Sequence, residues 1–334
     1  MGVRPVAVAA GQVLLSVRSS LASWGPLTVT RPCENRRQAG ARATARTAAS
    51  AFAACTDGLI SDHAEILVTL ECPLRRVACV RPPDPAFADP HLAALYDGLD
   101  DDRSDLDAYV AIADELNASR IIDIGCGTGS LATRLAALGK DVVGVDPAGA
   151  SLEVARGKPH ADRVSWVHGD ATALPGRHLA VDLAVMTGNV AQVFVADADW
   201  ASALDAIRAC LRPDGWLVFE TRLPQARDWE GWDVRPTVVT TVPGGLEVVV
   251  SRTVTEVEPP LVTFVSSTEV NGDTIHSAST LRFRERHEVE QDLQDHGFEV
   301  VDVRDAPDRP GKEMVFLARL AGTGSARNRP EALH

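Results

Sequence analysis

The chain has 334 residues, 45% hydrophobic and 24% charged, a balance expected of a soluble globular protein with one good-sized core or two small ones. Its formal net charge of −13 argues against a broad nucleic-acid or anionic-membrane footprint, because such surfaces need clustered Lys and Arg. No run of 18 apolar residues occurs, so no membrane span is expected, and the localisation expected is cytoplasmic.

Charge and cysteine usage divide the chain. Residues 1–82 hold ten Arg, no Lys and five acidic residues, about +5, which leaves about −18 for the remainder. Cys33, Cys55, Cys72 and Cys79 also lie there, at spacings of 22, 17 and 7 that make no CxxC pair. Neither a zinc site nor a disulfide framework is therefore expected. Cys126 and Cys210 fall inside apparent secondary structure and read as small buried hydrophobes. The segment PVAVAAGQVLL faintly resembles a secretory signal, and the Arg, Ala and Ser around it would equally suit an organellar transit peptide. A third reading accounts for more: the whole chain uses three Lys against thirty Arg, as a GC-rich coding sequence would produce. Residues 1–82 are accordingly expected to be disordered, or a spurious extension upstream of the native start.

RPPDPAFADP at 81–90 reads as the linker into the ordered domain. HLAALYDGL and DLDAYVAIADELNA then place apolar residues at helical spacing, and Leu106, Tyr109, Ile112, Ala113 and Leu116 share a face. RIIDIGCGTG at 120–129 is a short buried-strand run that ends in glycines, and SLATRLAALG is a helix that stops at Gly139. Strands follow at 141–146, 163–170, 181–188 and 215–221, with helices at SLEVARGK and 200–211. Strands apolar on both faces and alternating with helices predict an α/β fold around a mostly parallel sheet. Residues 236–283 break that rhythm with alternating segments separated by GG, PP and NG, predicting three or four antiparallel strands inserted after the fifth strand. HEVEQDLQDHG and two strands, 298–305 and 314–320, return to the first sheet, and residues 321–334 are expected to be a flexible tail.

The strand, glycine loop and helix at 120–139 carry the functional reading. Asp123 lies near the strand's carboxyl end, and Gly125, Gly127 and Gly129 occupy the turn, where missing side chains let a ligand approach the backbone. Asp146 closes the second strand 23 residues later, one strand–helix–strand unit on, where a carboxylate can accept both hydroxyls of a ribose. An acid there, with no Arg at 147–149, disfavours NADP but leaves NAD and FAD open. Asp146 as a helix N-cap and Asp170 as an Asx-turn residue closing HGDATALPG are the purely structural alternatives.

The series IIDIGCGTG, VVGVD, HGDATALP, DLAVMTG and LRPDGWLVFET resembles the successive motifs of class I S-adenosylmethionine-dependent methyltransferases, over most of residues 84–320. That resemblance implies a Rossmann-like seven-stranded, mostly parallel sheet with an antiparallel last strand, and S-adenosyl-L-methionine as cofactor. It further implies that Asp123 and Gly125, with Cys126, Gly127 and Gly129 of the same loop, lie near the methionine part of the cofactor. Asp146 would hold the ribose, Pro147 would line the adenine slot, and Asp170 with Ala171 would meet the adenine. Thr187 and Asn189 would stand at the sheet rim where sulfonium and acceptor meet, and Tyr96 would cover the methionine end.

Methyl transfer needs alignment more than a fixed catalytic set, because the sulfonium is itself an excellent leaving group. No catalytic residue is therefore assigned from the sequence. His168 and His276 are weighed as bases for a hydroxyl or acidic carbon. Arg222, Trp229 and Trp232, with Glu230, are candidates for a charged aromatic wall beside a small acceptor; the tryptophans could instead seat the inserted sheet. The rim reads TGNVAQ rather than Asn-Pro-Pro-aromatic, and no Pro-Cys pair marks a cytosine enzyme, so a small molecule is the acceptor expected. An NAD-dependent oxidoreductase would want GxGxxG, and an inactive cofactor- or partner-binding domain is the other alternative. The sequence sets no oligomeric state.

Overall fold

The computed structural model describes residues 82–321 apart from positions 101, 178, 242 and 243. The expectations for residues 1–81 and for the tail from 322 onward lie outside the described residues.

The segment read as a proline-rich linker is helical. Pro85 and Pro90 open two helices, α1 (Pro85–Ala88) and α2 (Pro90–Leu99). Asp84 accepts from the Ala86 amide at 2.8 Å, and Asp89 accepts from the His91 and Leu92 amides at 2.8 and 3.2 Å. Proline is tolerated at a first helical position because its missing N–H has no intrahelical partner there, and an Asp just before it caps the free amides. The prolines thus mark helix starts rather than an unstructured connection.

Helix α3 (Asp107–Glu115) precedes the alternating unit β1 (Arg120–Ile124), α4 (Ser130–Ala137), β2 (Asp141–Asp146), α5 (Gly149–Arg156), β3 (Val164–His168) and β4 (Val181–Met186). Helix α6 (Asp197–Cys210) leads into β5 (Leu211–Arg222), and α7 (Arg286–Asp295), β10 (Phe298–Asp305) and β11 (Glu313–Leu320) close the domain. Seven strands form one sheet in the order β10-β11-β5-β4-β1-β2-β3. β11 runs antiparallel to both β5 and β10, and the β5-β4-β1-β2-β3 pairs are all parallel.

Alternate residues of each strand feed opposite cores. Ile122, Ala184, Leu217, Phe219 and Phe316 pack with Trp200, Leu204 and Ile207 of α6 and Val289 and Leu293 of α7. Ile121, Leu183, Val185, Val218 and Val315 pack with Tyr109 and Ile112 of α3 and Leu131 and Leu135 of α4. Burial on both faces is why these strands read as continuous apolar runs.

Four antiparallel strands are inserted after β5: β6 (Val234–Thr240), β7 (Glu247–Glu258), β8 (Leu261–Val270) and β9 (Asp273–Arg282). They begin two residues before the predicted boundary and end one before it. One end of the inserted sheet rests on α2 through Val248, Val250 and Val270 against Leu95 and Leu99. The Ser279 hydroxyl bonds the Asp84 carboxylate ahead of α1. At the other end Arg284 donates to the Phe194 carbonyl at 2.7 Å, and Gln192 donates to the Arg282 carbonyl at 3.3 Å. The inserted sheet therefore spans from the helices before β1 to the loop after β4, above the carboxyl rim of the large sheet.

Candidate cofactor and acceptor site

The bend after β1 is built from left-handed positions, with φ of 69° at Gly125, 53° at Gly127 and 76° at Gly129. A Cβ on Gly125 would lie 2.5 Å from Val190, and one on Gly129 would lie 2.5 Å from the Trp166 ring. Both positions thus exclude a side chain twice over, by backbone angle and by crowding. Gly127 has nothing within 4 Å of the same point, so the middle of the bend faces open space.

Asp146 ties this bend to the end of β2. Its Oδ2 accepts from the Gly127 amide at 2.8 Å, and its Oδ1 accepts from the Ala148 amide at 2.7 Å. The 23-residue spacing to Asp123 signals the placement but not these two bonds, which hold the bend whether or not a ligand is bound. Each oxygen retains a second lone pair. Burial raises the carboxyl's pKa, against the opposing pull of the two amides. Asp146 does not cap α5, whose N-cap position is Ala148.

Asp123 is only 1% exposed, and neither of its oxygens reaches a hydrogen-bond partner in ordinary geometry. Desolvation, followed by the charge of Asp146, pushes it up to about 7, with the Ala132 amide and Arg103 acting the other way. Two buried carboxylates beside one side-chain-free bend make a crevice that favours a cation.

A second cluster closes the bend from α2, and the sequence reading missed it. Lys158 lies 2.7 Å from the Asp97 carboxylate and donates to Ser130 Oγ at 2.9 Å and Thr128 Oγ1 at 3.1 Å. Thr128 Oγ1 in turn donates to Asp97 at 2.7 Å. The signal was the Tyr-Asp pair at 96–97, of which only the tyrosine was weighed. Tyr96 is half-buried, 5.9 Å from the Phe87 ring, and burial pushes its phenol up.

The remaining predicted positions gather at the same rim. Asp170 caps the turn at 171–173, accepting from the Thr172 amide at 2.8 Å and its hydroxyl at 2.5 Å, and Ala171 is buried. The Asx-turn reading is therefore realised, and it leaves the second carboxylate oxygen available. His168 Nε2 sits 3.0 Å from the Pro147 carbonyl, fixing the ring against the residue after Asp146. Cys126 is buried beneath the bend, where burial raises its thiol pKa, and Cys210 is buried in α6. Thr187 follows β4, and Asn189 adopts φ 61° with 3% exposure.

The expected acceptor wall is corrected by the structure. Trp232 is fully buried and packs edge-on to Phe264 at 5.4 Å, with the Arg222 guanidinium 5.2 Å above its ring. Trp229 packs edge-on to Phe283 at 4.6 Å. With Val262 these residues form the core that seats the inserted sheet on the end of β5. Trp229 keeps an edge in a hollow beside Pro224 and Pro259, but neither tryptophan is a free wall. Arg222 is 2% exposed and committed to Gln192 at 2.7 Å and Glu313 at 3.6 Å. His276 is exposed on the face of β9 opposite buried Ser277, so it points away from the rim. The tryptophans lie two turns of chain beyond the strand end, and periodicity alone cannot separate a cap's seat from a pocket wall.

Residues 121–215 match the model of a family described as "Methyltransferase domain". The match runs from β1 through the first half of β5 and takes in the bend, Asp123, Asp146, Asp170 and Asn189. These residues form a methyltransferase domain. A ubiquinone biosynthesis O-methyltransferase of Bordetella bronchiseptica is 34% identical over 115 residues, 33% of this chain and 45% of that protein. The chain thus spans less than half the length of the curated relatives it matches. A methyltransferase structure from Clostridium acetobutylicum, described as S-adenosylmethionine-dependent, has a TM-score of 0.56 at 17% identity, covering 70% of this chain and 98% of its own. An amino pentose methyltransferase from Micromonospora echinaspora, solved with bound S-adenosylmethionine, has a TM-score of 0.53 at 22% identity, covering 68% and 95%. Both neighbours share the methyltransferase fold beyond the matched domain.

Proposed function

We propose that the chain is an S-adenosylmethionine-dependent methyltransferase whose acceptor is a small molecule. The observation that carries this reading is Asp123, a buried carboxylate without an ordinary hydrogen bond beside the Gly125 bend, one strand from Asp146. A sulfonium amino acid joined to a nucleoside fits that donor set: a cationic ammonium near Asp123, two ribose hydroxyls at Asp146, and an adenine amine at Asp170 with the Ala171 amide beside it. Pro147 would flank the ring, and Thr187 and Tyr96 would border the methionine end. The cofactor supplies an activated methyl on a good leaving group. What the chain's own residues do is bind, orient and exclude water. Asp146 holds the bend open, the Asp97–Lys158 cluster lays α2 across it, and the inserted sheet covers the rim.

A small acceptor agrees with the names of two similar proteins, a ubiquinone biosynthesis O-methyltransferase and an amino pentose methyltransferase, and with the acidic balance of the chain. No helix of the described residues is long and apolar enough to cross a membrane. A cytoplasmic localisation, as expected from the sequence, is part of this proposal. The test is transfer of a labelled methyl from the cofactor into fractionated metabolites. Label should enter a low-molecular-weight fraction; label found only in protein or nucleic acid would overturn the acceptor class.

A further inference from the structure

A buried polar network lies where β4 and β5 end, around Asn189, which the sequence had placed at the rim without any of the partners that hold it. Asn189 is held from two directions. Its backbone amide donates to Glu220 Oε1 at 3.0 Å, and its Nδ2 donates to Glu313 Oε1 at 2.9 Å. The Tyr109 hydroxyl of α3 donates to the second oxygen of Glu220, and Arg309 donates to Glu313 at 2.5 Å. Asn189 Oδ1 is left without a partner, in a residue 3% exposed. Turning the amide over would set its oxygen against the Glu313 carboxylate, so the hydrogen bonds fix which atom is presented. The next residue, Val190, is the one that would strike a Cβ on Gly125, so this loop bears directly on the cofactor bend.

Resting on the methyl-transfer reading above, we propose that Asn189 presents Oδ1 to the N–H or O–H of the small-molecule acceptor, and that Glu220 is a positioning residue acting through Asn189. A glutamine at position 220 has a single acceptor oxygen and could not accept from both the Asn189 amide and the Tyr109 hydroxyl, although two buried glutamates in one network cost folding stability. A carboxylate is better suited to fixing the loop because it accepts both bonds at once and more strongly. The groups facing Glu220 are Glu313 from β11, Arg309 from the preceding turn, Tyr109 from α3, and Arg222 from its own strand. Desolvation and then Glu313 push it up to about 7, while Tyr109, the Asn189 amide and Arg309 pull the other way. Above that range the carboxylate accepts both donors; once protonated, it must give one up.

The experiment uses the full chain labelled with 15N, followed at the Asn189 amide resonance from pH 5 to 9. That resonance should titrate with a midpoint near 7, stay flat in Glu220→Gln, and move to a higher midpoint in Tyr109→Phe, which loses a donor to the charged form. In parallel, Asn189→Ala, which keeps the backbone bond to Glu220, should bind S-adenosylhomocysteine within about twofold of the parent by calorimetry. Asn189→Ala should transfer label to the active metabolite fraction at least tenfold more slowly. An Asn189 resonance that ignores pH, or Asn189→Ala transferring label at the parent rate, would overturn this inference while leaving the cofactor reading intact. Absence of S-adenosylhomocysteine binding by the parent chain would instead sink the cofactor reading.

Discussion

Asp123 and Asp146 occupy the carboxyl ends of neighbouring strands, yet their surroundings assign them different work. Asp146 spends one lone pair of each oxygen on a backbone amide, so it is structural before any ligand arrives. Asp146→Ala should therefore do two things: weaken S-adenosylhomocysteine binding by about 1–3 kcal/mol, and lower the melting temperature of the free protein by releasing the Gly127 and Ala148 amides. Calorimetry and thermal unfolding check the two effects separately. Asp123 has no such bonds, and burial first, then Asp146, raises it to about 7 from an ordinary 3.8. Glu220 is raised to about 7 from 4.5, again chiefly by burial. Folded protein thus holds protons that the unfolded chain releases, so the stability from these two groups is complete below about pH 4 and is lost as pH rises through about 7. Asp123→Asn should flatten that slope in denaturant titrations and, at pH 8, be more stable than the parent by over ~1 kcal/mol. It should also lose cofactor affinity, as expected where a strained binding group costs stability.

Among the elements, those whose signal was local were legible in advance. The β10 span 298–305 is the one predicted from FEVVDVRD, because its alternation is bounded by Gly297 on one side and a turn at Ala306 on the other. Helix α6 begins three residues before the predicted start, since Asp197 and Asp199 favour its positive N-terminal end while periodicity marks only the buried stripe from Trp200. RPPDPAFADP reads as a linker because proline breaks a helix interior, but with Asp84 and Asp89 as caps the same prolines start helices. The inserted sheet's outline was legible from its turn residues, and a seat on the tryptophans was one of the two readings the sequence left open; the choice rests on β8, some thirty residues away, whose Val262 and Phe264 pack with Trp229 and Trp232. Trp232→Ala should cost about 3–5 kcal/mol in urea unfolding, as for a large core aromatic that packs edge-on to Phe264 and underlies Arg222. Retained stability with a lost acceptor affinity would return that tryptophan to the pocket.

At the scale of the whole molecule, the rim of a seven-stranded sheet is covered from two sides, by α1 and α2 on one and by the inserted sheet on the other. Motif spacing was enough to place Asp123, Asp146 and Asp170 at successive strand ends, because each strand–helix–strand unit returns the chain to the same edge. The Asn189 network was invisible in the sequence, since Tyr109, Asn189, Glu220 and Glu313 are brought together from four separate elements, whereas the Asp97–Lys158 cluster left only the Tyr-Asp pair at 96–97 as its trace. The glycine bend and its two carboxylates lie at this covered rim, and the molecule they bind decides the function. The most direct measurement is calorimetric titration of the full chain with S-adenosylhomocysteine and, separately, with NAD. Saturable binding of S-adenosylhomocysteine with no heat from NAD is the predicted result; binding of NAD alone would contradict it.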